Sequence, residues 1–128
     1  MPNARVLVVD DYPGARYMRM RILLDEGGYD VAEESLGRDA VARATNERFD
    51  LLVLDLHLPD ISGLDVCRAL RAEPRTAALP ILMMSAISDT EEASRQALAA
   101  GANAFVADGD AEGNFLAAVK DLLAKPIV

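Results

Sequence analysis

The chain lacks tryptophan, has a single cysteine, is short of basic side chains and contains no long apolar run. Cys67 cannot form an internal disulfide. At helical spacing between Leu64 and Leu70 it reads as a small core residue, not as a redox or nucleophilic centre. Thirteen Lys and Arg against 21 Asp and Glu leave a net charge of −8. That charge repels phosphate backbones and anionic lipid head groups, so direct binding of nucleic acid or of a membrane surface is not expected. Apolar stretches fall far short of the roughly 20 residues that cross a bilayer, and the N-terminus lacks the basic-then-apolar pattern of a secretory leader. A cytoplasmic location is the expectation. With 52% apolar and 27% charged residues and no low-complexity tract, residues 1–128 are expected to form one globular domain.

Short β-rich runs alternate with longer helical ones, the pattern of βα units that feed a parallel sheet covered by helices. Strands are expected at Arg5–Val9, Asp30–Glu34, Leu51–Leu54, Ile81–Met84 and Ala104–Ala107. The first helix is expected to start near Pro13, to carry Ala15, Met18 and Ile22 on its apolar face and to stop at Gly27-Gly28. The second runs through Ala40, Val41 and Ala44. The third follows Gly63, turns Leu64, Cys67 and Leu70 inward and ends before Pro74. Ser88-Asp89-Thr90-Glu91 has the form of a capping box that opens a fourth helix, mostly alanine, with Leu98 as its one large apolar residue. The fifth presents Phe115, Val119, Leu122 and Leu123 on one stripe and runs to Ala124.

Two of the buried-strand patterns end in carboxylates. Asp10 and Asp11 follow Val6-Leu7-Val8-Val9, and Asp55 follows Leu51-Leu52-Val53-Leu54. Side by side in a parallel sheet, those strands would bring three acids to the carboxyl edge, where open α/β sheets bind ligands. Three converging acids call for a cation, and a hard divalent ion such as Mg²⁺, which prefers oxygen ligands, suits them. Asp55 would then be poised to accept a phosphoryl group.

These acids, together with Asp55-Leu56-His57-Leu58-Pro59-Asp60-Ile61-Ser62-Gly63, Ser85-Ala86 and Gly101-Ala102, resemble the receiver domains of bacterial two-component response regulators over essentially the whole chain. The resemblance implies a doubly wound, flavodoxin-like α/β fold: five parallel strands in the order 2-1-3-4-5 with five helices. It implies that Asp55 is the phosphoacceptor, taking its phosphoryl group from a sensor histidine kinase or a phosphotransfer protein. Mg²⁺ would be bound by Asp11 and Asp55 directly, by Asp10 through water and by the backbone carbonyl of His57. Ser85 matches the hydroxyl that donates to the phosphoryl oxygen. Phe105 matches the aromatic switch residue, and the face of the fourth helix, fifth strand and fifth helix matches the surface that reports to an output domain or partner. Such a domain is a signalling module and not an enzyme.

One departure stands out. Where the family pattern has a Lys-Pro pair after the fifth strand, this chain reads Asp108-Gly109. A cation about 4–5 Å from phosphoryl oxygens contributes roughly 3–4 kcal/mol at an effective dielectric near 20, and an ionised Asp opposes by a similar amount. Weakened output is therefore expected. The alternative is a pseudo-receiver, a binding module that keeps the fold and the acids but works by protein contact without phosphorylation. Two other readings are poor. Asp55-x-His57 only partly matches a cobalamin signature, since Asp60 stands at its glycine position, and position 57 is His where a dehalogenase-type phosphatase needs Asp.

Overall fold

In a computed structural model, which describes residues 3–85, 90–107 and 112–124, the alternation of runs becomes a five-stranded parallel sheet. The strands are β1 (Arg5–Val9), β2 (Asp30–Glu34), β3 (Leu51–Asp55), β4 (Ile81–Ser85) and β5 (Ala104–Ala107). Their order across the sheet is β2-β1-β3-β4-β5. The helices are α1 (Pro13–Ile22), α2 (Gly37–Asn46), α3 (Gly63–Ala72), α4 (Thr90–Ala100) and α5 (Glu112–Ala124). None of them is long and apolar enough to cross a membrane.

The uninterrupted aliphatic runs of β1, β3 and β4 are explained by burial on both faces, as parallel sheets require. Odd and even positions of each strand go to opposite sides. Leu7, Val9, Leu52, Leu54, Ile81 and Met83 face a core completed by α2, α3 and α4. Val6, Val8, Leu51, Val53, Leu82 and Met84 face one completed by Leu23, Phe115, Val119 and Leu122. Cys67 is fully buried in the first of these cores.

Helix α1 widens into a π-helical stretch over Leu23–Gly27 and stops at Gly28, whose φ of 67° is left-handed. Gly28 suits that turn because it has no Cβ to strain. The expected apolar face of α1 needs correction. Met18 is 52% exposed, and the buried position beside it is Arg19, 5% exposed. The inward stripe of α1 thus runs Ala15, Arg19, Ile22 and Leu23, at helical spacing, with a cation in an apolar row. In α4 the large residue Leu98 is 51% exposed, and the helix is seated by Ala93, Ala97 and Ala100. In α3, Val66 joins Cys67 and Leu70 in the core, and Leu64 is only half-buried. Ser88 and Asp89 of the expected capping box lie outside the described residues.

A helix held by alanines alone removes little apolar area per residue, so it should open easily. Backbone amides of α4 are expected to exchange with solvent faster than those of β1 and β3. Equal protection of α4 and the central strands, measured by hydrogen exchange, would contradict this.

Candidate metal and phosphoryl site

The register of the sheet decides which carboxylates meet. Val9 lies opposite Leu54 and Asp55 opposite Met84, while Ser85 lies opposite Ala107. Asp10 therefore leaves β1 beside Asp55. Both Asp55 and Ser85 are the last residues of their strands, one position further into the ladder than the sequence pattern suggests. Asp10, Asp11 and Asp55 each contribute a carboxylate oxygen, and these oxygens all lie within 4.8 Å of one another. Asp10 is buried, Asp55 half-buried and Asp11 exposed, so the cluster opens to solvent on one side. A set made only of oxygens at this spacing fits a hard divalent cation that retains some of its water.

The two oxygens of Asp10 are already engaged. Oδ1 accepts a hydrogen bond from the Tyr12 backbone N–H at 2.9 Å, and Oδ2 accepts one from Nη1 of Arg19 in a buried ion pair. The Asp10 carbonyl accepts from Nη1 of Arg16 at 2.7 Å, and Nε of Arg16 reaches Glu33 at 2.6 Å. Arg19 was not among the residues picked out from the sequence. Its signal was its place on the inward row of α1, four residues after Ala15 and four before Leu23.

The carboxyl of Asp55 is pushed up to about 7 from an ordinary value of 3.8. Burial is the main cause. The negative charge of Asp10 and, more weakly, that of Asp11 push the same way, while the Arg19 guanidinium and the His57 backbone N–H pull it back. His57 is exposed at the rim, as expected for a loop residue.

The loop after β3 is locked from both sides. The Leu56 N–H donates to the Met84 carbonyl at 2.9 Å, and the Gly63 N–H donates to the Leu56 carbonyl at 2.8 Å. Gly63 is required by close approach: a Cβ there would stand 2.4 Å from the Asp55 carbonyl oxygen and 2.9 Å from Cα of Leu56. Ser62 caps α3, its Oγ accepting from the N–H groups of Leu64 at 3.0 Å and Asp65 at 3.4 Å. Asp60 caps a different helix. Its Oδ1 accepts from the Gly37 N–H at 2.8 Å and its Oδ2 from the Arg38 N–H at 2.9 Å, at the start of α2. Those donors, Arg38 first, hold the Asp60 carboxyl below its ordinary value.

Ser85 is buried, with 1% exposure, at the same edge of the sheet as the acids. Phe105 sits opposite Met83 on β5, half-buried against the core on the α2–α4 side. Asp108, Gly109 and Asp110 lie outside the described residues.

Known proteins resemble this chain in sequence and in fold. The chain is 36% identical over 126 residues to the phosphate regulon transcriptional regulatory protein PhoB of Rhizobium meliloti, covering 97% of this chain and 55% of that protein. It spans 15%, 36% and 55% of the length of the first three curated relatives. A putative response regulator from Chloroflexus aurantiacus superposes with a TM-score of 0.88 at 32% identity, covering 98% of this chain and all of that one. The receiver domain of the sensor histidine kinase PA1611 from Pseudomonas aeruginosa shares the fold with a TM-score of 0.87 at 24% identity, over 96% of this chain and 99% of that one. That structure has a magnesium ion coordinated in its active-site cleft. The response regulator receiver domain family matches residues 6–126. The match begins inside β1 and ends beyond α5, leaving no helix or strand of the described residues outside it, and the chain belongs to the family of response regulator receiver domains.

Proposed function

We propose that this receiver domain is the phosphoacceptor of a two-component phosphorelay, modified on Asp55 in the presence of Mg²⁺. The observation that carries the reading is the meeting of Asp10, Asp11 and Asp55 within 4.8 Å, at the edge where β1 and β3 end. In the transfer, an Asp55 carboxylate oxygen forms a bond to phosphorus. The bond from phosphorus to a donor imidazole nitrogen breaks, and that nitrogen keeps the electron pair. Asp11, Asp55 and the His57 carbonyl would hold the ion, with Asp10 reaching it through water. When bound, Mg²⁺ would draw charge from the phosphoryl oxygens and offset the repulsion by Asp10 and Asp11 that adds to burial in raising Asp55. Ser85 would donate to a phosphoryl oxygen, and Phe105 would couple that bond to the α4–β5–α5 face. The donor partner is a sensor histidine kinase or phosphotransfer protein, and the output is an attached domain or a separate protein. The domain itself acts as a signalling module rather than an enzyme.

Incubation with acetyl phosphate, followed by intact mass measurement, tests this reading. Wild type should gain one phosphoryl group only with Mg²⁺, and Asp55→Asn should gain none. Mg²⁺ in the millimolar to sub-millimolar range should also raise the melting temperature, because ligand at about ten times Kd stabilises by about 1.4 kcal/mol. Asp11→Asn should lose most of that rise. A second reading is favoured by Asp108, which stands where the family pattern has a lysine. If Asp55 accepts no phosphoryl group with or without Mg²⁺, the domain is a pseudo-receiver that binds its partner without phosphorylation.

A further inference from the structure

Arg19 has no counterpart in the role just described. It is 5% exposed, on the inward row of α1 among Ala15, Ile22 and Leu23, and its guanidinium pairs with an Asp10 carboxylate that is itself 3% exposed. A buried guanidinium left without a countercharge is strongly destabilising, so the two groups hold each other in place. The pair stands inside the acidic cluster, because the same Asp10 carboxylate lies within 4.8 Å of oxygens of Asp11 and Asp55. The charge of Arg19 also acts directly on the Asp55 carboxyl, lowering it against the opposing push of Asp10.

We propose that Arg19 is a resident cation that sets the divalent-ion affinity of this receiver, neutralising Asp10 and withholding it from Mg²⁺. The inference rests on the Mg²⁺ reading above and changes what Asp10 does within it. Oδ2 is occupied by the guanidinium and Oδ1 by the Tyr12 N–H. A divalent ion entering the cluster meets, in Asp10, a carboxylate already offset by one positive charge beside it. A fixed cation also lowers the attraction of the whole pocket for a second one, by ordinary Coulomb repulsion. The expected result is a site that tolerates its own acids without metal and binds metal less tightly than three unpaired carboxylates would.

The test measures Mg²⁺ affinity by isothermal titration calorimetry and melting temperature with EDTA or Mg²⁺, for wild type, Arg19→Lys and Arg19→Met. Methionine keeps the length of the buried stem and removes the charge. Arg19→Met should melt lower than wild type in EDTA and bind Mg²⁺ at least tenfold more tightly, while Arg19→Lys should stay within about threefold of wild type. Refolding of an EDTA-unfolded Arg19→Met by Mg²⁺ would support the proposal equally. Should Arg19→Met fail to fold in either condition, the double variant Arg19→Met/Asp10→Asn removes both charges together. Because the pair contributes no net charge, the double variant should match wild-type Mg²⁺ affinity within about threefold. A tenfold loss in that variant would mean that Asp10 serves the ion in wild type, and the proposal fails. It fails alone if wild type binds Mg²⁺ and a folded Arg19→Met binds it no more tightly. If neither protein binds the ion, the Mg²⁺ reading of the pocket falls with it.

Discussion

Metal-free protein should lose stability as pH rises from about 4 to 7, and Asp55→Asn should remove that loss. The Asp55 carboxyl sits at about 7 in the folded chain against an ordinary 3.8. Below 3.8 it is protonated in both states and contributes nothing. Between the two values the folded protein keeps a proton that the unfolded chain has released, so folding is penalised progressively as pH rises. Above 7 the carboxylate is ionised in both states and the penalty is complete. At full strength the difference is worth about 4 kcal/mol, and solvent screening of a half-buried group reduces it to roughly 2 kcal/mol. Urea denaturation in EDTA from pH 4 to 8 checks this as the gap between wild type and Asp55→Asn. That gap should widen toward neutral pH and shrink when Mg²⁺ is added. Parallel curves for the two proteins would show that Asp55 is not held at a charge-repelling site.

Gly63→Ala should be among the most damaging single substitutions, costing about 3 kcal/mol, the upper end of the range for overpacking. The added carbon would stand 2.4 Å from the Asp55 carbonyl oxygen and 2.9 Å from Cα of Leu56. Both are backbone atoms, which no change of rotamer can move aside. Relief requires α3 to withdraw from the end of β3, and that displaces Asp55, so the melting-temperature response to Mg²⁺ should weaken along with stability. Gly28 provides the comparison. It has a φ of 67° but nothing within 4 Å of its would-be Cβ, so Gly28→Ala carries only the backbone strain of about 1–2 kcal/mol. A Gly63→Ala protein within 1 kcal/mol of wild type by urea denaturation would refute the close-approach account.

All five strands and the meeting of Asp10, Asp11 and Asp55 were legible because burial on both faces writes unbroken aliphatic runs, and the acids mark where those runs stop. Residues whose environment comes from elsewhere in the chain were less legible. Met18 outranks Arg19 on any apolar scale, yet Arg19 is inside, because Asp10 on another element supplies the countercharge that makes burial tolerable. Leu98 outranks its alanine neighbours in the same way. The close fit of α4 against the sheet selects Ala93, Ala97 and Ala100 and turns Leu98 outward. The strand-end acids announce a site. The cation paired with one of them is visible only once α1 is folded against β1.

The cap on α2 has a bearing on how the chain assembles. Leu36, at its N-terminal boundary, contributes no side-chain cap, and the first backbone donors are met instead by Asp60, 22 and 23 positions further along the chain. In a protein made from its N-terminus, Gly37 and Arg38 leave the ribosome well before the carboxylate that will receive their N–H groups. The opening turn of α2 is therefore completed only after β3 and its following loop have been synthesised. The segment that carries the proposed phosphoacceptor also finishes an element that precedes it.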